Sequence, residues 1–94
     1  EVAGATHQAQ VQLDVDSVWA QAQETIAGHA DDGIETTDFP RRIEAVVDGA
    51  SVEVEVQAYD LNRTIVKVTA TRYLSKDGEI ASWLLNEIVD ELGE

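Results

Sequence analysis

The segment Ala9-Gln10-Val11-Gln12-Leu13 alternates strictly between apolar and polar side chains, the period of a strand with one face buried. The period then changes. Val18, Trp19, Ala22 and Ile26 recur at helical spacing behind Asp16, which is placed to cap a helix from about Ser17 to Ala27. Gly28 and the Asp31-Asp32-Gly33 cluster end that helix and form a loop. Residues Ile34 to Val47 read as one interrupted strand, and Pro40, which has no amide hydrogen, marks an edge or a bulge in it. Asp48-Gly49 is a strong hairpin signal. Beyond it Val52, Val54, Val56 and Ala58 alternate with Glu53, Glu55 and Gln57, and after Asp60-Leu61-Asn62 the pattern resumes through Val66, Val68 and Ala70. The last element is a helix capped by Asp77, with Ile80, Ala81, Leu84, Leu85, Ile88, Val89 and Leu92 on one stripe and Gly93 closing it. Residues 1–8 read as a disordered or extended tail, ahead of a single domain over residues 9–93.

The turns set the strand register. A two-residue turn at Asp48-Gly49 puts Ala45 opposite Val52 and Ile43 opposite Val54. A three-residue turn at Asp60-Leu61-Asn62 puts Val56 opposite Val66 and Val54 opposite Val68. Both keep apolar against apolar, and a slip by one residue would turn a strand's apolar set outward. On the other face, Arg42, Glu55 and Lys67 then align across three strands, while Glu44 and Glu53 face each other as a like-charge pair with a small cost. The element order is β-α-β-β-β-α. Two amphipathic helices must cover the single apolar face of the sheet, which predicts an α+β domain: an antiparallel sheet of three to four strands with both helices on one face.

Composition narrows the function. The 94 residues carry 19 acids against six Lys and Arg, a net charge of −13, yet 44% are hydrophobic. That combination describes a packed domain with a negative surface rather than an acidic tail. The acids concentrate in the flanks: residues 41–73 hold five acids and five Lys or Arg, so the expected open sheet face is near neutral and the helix layer acidic. Such a charge disfavours nucleic acid and anionic membrane surfaces. It suits work in high salt, where the Debye length falls to about 3 Å at 1 M. No cysteine is present, so disulfides and thiolate chemistry are excluded. No apolar run approaches the ~18 residues of a membrane helix, so this segment is not expected to insert in a membrane. The chain contains no methionine and begins at Glu1, and is therefore expected to be processed or trimmed, with any signal peptide or lipid anchor upstream.

The string Val11-x-Leu13-x-x-Asp16-Ser17-Val18-Trp19, followed by Ile43-Glu44-Ala45, Asp48-Gly49, alternating valines and a closing Ser82-x-x-Leu85-x-x-Ile88 helix, resembles a family of small bacterial envelope lipoproteins, a domain family of unknown function. The likeness spans roughly residues 9–92 and rests on order and spacing. The chain departs from the family in lacking the lipobox cysteine and in carrying Arg72-Tyr73-Leu74 where a Gly-rich link is usual. The resemblance implies an exported, lipid-anchored α+β domain of the periplasm or cell envelope, with no catalytic residue to carry over.

The residues offer little chemistry. Asp31-Asp32-Gly33-x-Glu35 departs from the twelve-residue calcium loop, and Glu53 and Glu55 share one strand face instead of facing each other as a glycosidase pair does. His29 sits where a helix C-terminus favours a cation, and His7 lies in the tail. No nucleophile motif or phosphate loop occurs, so no enzyme, metal or cofactor is expected. The derived register turns Tyr59, Ile65 and Val46 to the open face beside Arg42 and Lys67, with Tyr73 in reach. This face is the expected contact surface for an envelope protein or a second copy of the chain. The alternative is a small-ligand-binding module with a cavity between helices and sheet.

Overall fold

The computed structural model of the protein describes residues 2–73, 75–76 and 78–93, with side chains over residues 6–71 and 80–93. The elements are β1 (Val2–Val11), α1 (Val15–His29), β2 (Ile34–Asp38), β3 (Arg41–Val47), β4 (Ala50–Asp60), β5 (Arg63–Tyr73), the short β6 (Ser75–Lys76) and α2 (Gly78–Glu91). The strands form one antiparallel sheet in the order β1-β5-β4-β3-β2, with β6 pairing β5 off that path. α1 therefore carries the chain from one edge of the sheet to the other.

Both helices pack on the same face. α1 buries Val18, Ala22, Thr25 and Ile26, and α2 buries Ala81, Leu84, Leu85 and Ile88. These stripes meet Ile43, Val47, Val52, Val54, Val56, Val66, Val68 and Ala70 from the sheet in one core. Alanines at positions 22 and 81 let the helix backbones approach closely, and β-branched residues fill the pleated surface beneath. The space between helices and sheet is thus occupied by side chains that are almost wholly shielded from solvent.

The expected α+β architecture and register stand: Ala45 pairs Val52, Ile43 pairs Val54, Val56 pairs Val66 and Val54 pairs Val68. Four details differ. The sheet is wider than three or four strands, because the segment read as one interrupted strand is a hairpin, β2 and β3, turning at Phe39-Pro40 around a cis peptide bond. β1 starts at Val2 and pairs with β5 from Val2↔Tyr73 to Val11↔Thr64, so residues 2–8 are a paired strand instead of a tail. The cap of α1 is Asp14, not Asp16: its carboxylate accepts from the Ser17 backbone N–H at 3.0 Å and from Ser17 Oγ at 2.7 Å. The turn after β4 holds Leu61-Asn62, and Tyr59 is the extra residue of a bulge between Ala58 and Asp60, which preserves the expected pairing by another route. The expected cap Asp77 and the side chain of Tyr73 lie outside the described residues.

Candidate binding groove

Register decides what the uncovered face presents. Two rows run across the strands there. The first is Thr37, Arg42, Glu55, Lys67 and Gln8, one residue from each of β2, β3, β4, β5 and β1. The second, one pleat along, is Glu35, Glu44, Glu53, Thr69 and Thr6. A third partial row continues with Val46, Ser51 and Thr71. The first row mixes charges, as its sequence pattern predicts. The second places three carboxylates side by side on adjacent strands, so the open face is not uniformly neutral as expected from composition: one half is acidic.

Over the second and third rows the sheet surface hollows into a groove of about 490 Å³. Its floor is Val46, Ser51, Thr69 and Thr71, and its acidic side is Glu35, Glu44 and Glu53, with Asp32 at the end contributed by the loop after α1. That loop is held in place by two bonds to the β3–β4 hairpin. The Asp31 N–H donates to the Val46 carbonyl at 2.8 Å, and Asp31 Oδ2 accepts from the Gly49 N–H at 3.3 Å. The turn itself suits the sequence, since Asp48 and Gly49 both adopt positive φ, 50° and 79°, as a type I′ turn requires.

Arg42 is the one basic side chain reaching toward the acidic row among the described residues. Its Nε lies 2.9 Å from Glu53 Oε1, and its Nη2 3.8 Å from Glu55 Oε2. The first contact is close but off the hydrogen-bond direction, since Nε is left without a directed acceptor. It is an ion pair in partial solvent. No side-chain partner neutralises Glu35 or Glu44 among the described residues.

The five residues expected to form a contact surface are dispersed. Val46, 44% exposed, lies in the groove. Arg42 and Lys67 occupy the neighbouring row, both opposite Glu55. Ile65 is half-buried opposite Gln57, and Tyr59 is at the far end of the face beneath the Arg63 guanidinium, 4.6 Å from the ring centroid. Arg63 is also bound by Asp60, its Nε donating at 2.6 Å, and this bond with that from the Asn62 N–H holds the Asp60 carboxyl below the usual carboxylate range. Tyr59 and Ile65 are therefore remote from Val46. Sequence reasoning missed Ser51, Thr69 and Thr71, and met Asp32 and Glu35 only within a rejected calcium loop. The Glu44–Glu53 pair was visible as a cost; Glu35 was hidden because β2 was not separated from β3.

The remaining candidates have structural roles. His29 stacks edge-on against Trp83 at 4.6 Å between centroids and lies 3.9 Å from Glu87, which ties α1 to α2. Asp16 pairs with Arg41 at 2.9 Å, holding the start of α1 over β3. Among the described residues no three metal-ligating side chains converge, and no helix is long and apolar enough to cross a membrane.

No family model matches this sequence, and no curated protein matches it. Solved structures do share its fold. A truncated norcoclaurine synthase from Thalictrum flavum is similar at a TM-score of 0.60 and 10% identity, over 98% of this chain and 93% of that one. Norcoclaurine synthase from the same plant in complex with dopamine and hydroxybenzaldehyde is similar at 0.59 and 10% identity, over 98% and 86%. At that identity the likeness shows a common fold.

Proposed function

We propose that this chain is a non-catalytic module that binds a small molecule in the groove on the open face of its sheet. The groove itself carries the reading. Its volume of about 490 Å³ falls within the range of small-molecule sites, roughly 300–1,000 Å³. It combines apolar contacts from Ile34, Ala45, Val46 and Val52 with hydroxyls and carboxylates, of which Glu35 and Glu44 have no ion-pair partner among the described residues. The fold likeness supports it, since norcoclaurine synthase holds dopamine and hydroxybenzaldehyde and so carries small molecules on a related frame. Here the space between helices and sheet is filled by valines, alanines and leucines, which directs a ligand to the opposite face. The polar lining is made of carboxylates and hydroxyls, the groups that fix a ligand's orientation in such a site. The resemblance to envelope lipoproteins supports placing the module in the cell envelope; the gene sequence upstream of Glu1 checks this, a lipobox supporting it and the lack of one removing it.

A fragment screen read by amide shifts tests the binding reading. Hits should move the amides of Val46, Ser51, Thr69 and Thr71 together. Shifts confined to the helix–sheet layer, at residues such as Ala22, Val54 and Leu84, would place the ligand elsewhere and end this proposal.

A further inference from the structure

We infer that β1 is a pairing edge for a second copy of the chain, the two β1 strands joining antiparallel into one continuous sheet. The sheet has two edges, β1 and β2. An edge presents unpaired N–H and C=O groups, and proteins guard it by keeping it short, charged or broken by proline. β2 has all three guards: it is five residues long, holds Glu35 and Asp38, and is followed by Pro40. β1 has none. It runs ten residues, Val-Ala-Gly-Ala-Thr-His-Gln-Ala-Gln-Val, without an acid, a lysine, an arginine or a proline. One side of it pairs with β5 along its whole length, and it ends the strand order of the sheet. β6 reaches β5 only at Thr71 and Arg72, the level of Gly4 and Ala3, so residues 5–11 are the open stretch.

The charge layout selects the occupant. Both helices and the strands β2, β3 and β4 carry acids, β5 is enclosed by its neighbours, and β1 alone offers a neutral boundary. A basic partner is drawn to the acidic faces and finds nothing to pair with on β1. An identical chain of charge −13 is repelled by those faces and meets neutral side chains along β1. Thr6, Gln8 and Gln10 are exposed there, with hydroxyls and amides that both donate and accept across a strand pair. A two-fold axis perpendicular to the sheet relates two copies joined in this way, so one residue of β1 lies opposite its own copy. The groove stays open in such a dimer, because no β1 residue lines it. α2 lies over β1 and β5 and carries Glu87, Asp90 and Glu91, so the copies repel there and salt strengthens the pairing.

Sedimentation of the protein at up to about 1 mM in 1 M NaCl, where the Debye length is about 3 Å, tests this. A reversible dimer of the 10.2 kDa chain is expected. A monomer throughout overturns the inference and leaves the edge to a strand of another protein. Successive residues of a strand turn their N–H groups alternately to one neighbour and the other. Of Gln8→Pro and Ala9→Pro, one therefore breaks a bond to β5 and the other removes only an outward N–H. Melting curves tell them apart, and the variant that keeps the parent's melting temperature should raise the dimer dissociation constant at least about tenfold. Dimerisation of that variant at the parent's strength would count against β1 and end the proposal. A cysteine scan decides even where both prolines destabilise. The chain has no cysteine, so Thr6→Cys, His7→Cys, Gln8→Cys, Ala9→Cys and Gln10→Cys each carry a single thiol. The position facing its own copy should form a disulfide-linked dimer at least about tenfold faster than Thr36→Cys on β2. Equal rates along β1 and at Thr36→Cys mean random encounter and overturn the inference.

Discussion

Glu44 stands opposite Glu35 on one side and Glu53 on the other, an arrangement that opposes folding. Directly opposed like charges on a sheet cost a few tenths of a kcal/mol to about 1 kcal/mol, and among the described residues only Glu53 of the three has a cation in contact. Glu44→Gln should therefore stabilise the domain by about 0.3–1 kcal/mol, read as a higher urea midpoint at unchanged slope. A lower midpoint would mean that Glu44 makes a contact more favourable than its two repulsions. In the fragment screen the same substitution should weaken the hits that move Val46 and Ser51. Gain in stability together with loss of ligand is what a residue kept for binding gives, and a purely structural residue does not produce it.

At the scale of elements, the cap of α1 couples helix to pH. The Ser17 hydroxyl and amide both donate to Asp14, and these bonds hold its carboxyl below the usual carboxylate range near 3.8. A folded-state value below the unfolded one stabilises above the unfolded value, and that contribution fades as pH falls through the folded value. Asn in the same position also caps well and does not titrate. Asp14→Asn should thus flatten the acid limb of the stability curve below about pH 4 while leaving helix content at pH 7 intact; an unchanged acid limb would show that Asp14 is not a source of it. The elements also show where the sequence was legible. β3, β4 and β5 were readable down to residue pairs, because strict alternation and the Asp48-Gly49 turn leave one register with both apolar sets inward. β2 was not, since Glu35, Thr36, Thr37 and Asp38 are all exposed at a sheet edge, and an edge strand with no inward demand leaves no period. The first half of β1, Val-Ala-Gly-Ala-Thr, is held by backbone pairing to β5, which composition does not reveal. Asp14 lost the cap to Asp16 because Val15, the first helical residue, carries no helical signal. The groove was half legible for the same reason: Glu44 and Glu53 could be aligned from the turn, and Glu35 only once Phe39-Pro40 is known to turn the chain.

On the whole molecule, −13 of charge on 94 residues acts through self-repulsion, which compactness worsens and salt relieves. The protein should melt several degrees higher in 2 M NaCl than in 0.05 M. Salt also strengthens apolar burial in general, so the comparison needs a variant with helix-surface acids changed to amides. An equal salt response in that variant would remove charge as the cause. The helix layer has one more property at this scale. Both tryptophans belong to it: Trp19 on α1 rests against the core, and Trp83 on α2 stacks on His29, while no described strand carries one. Indole emission therefore reports the helices alone, and far-ultraviolet dichroism reports sheet and helices together. The molecule comes with two natural optical channels, one for the lid of helices and one for the whole, and their overlap or separation during denaturation shows whether the helices lift from an intact sheet or melt with it as one cooperative unit.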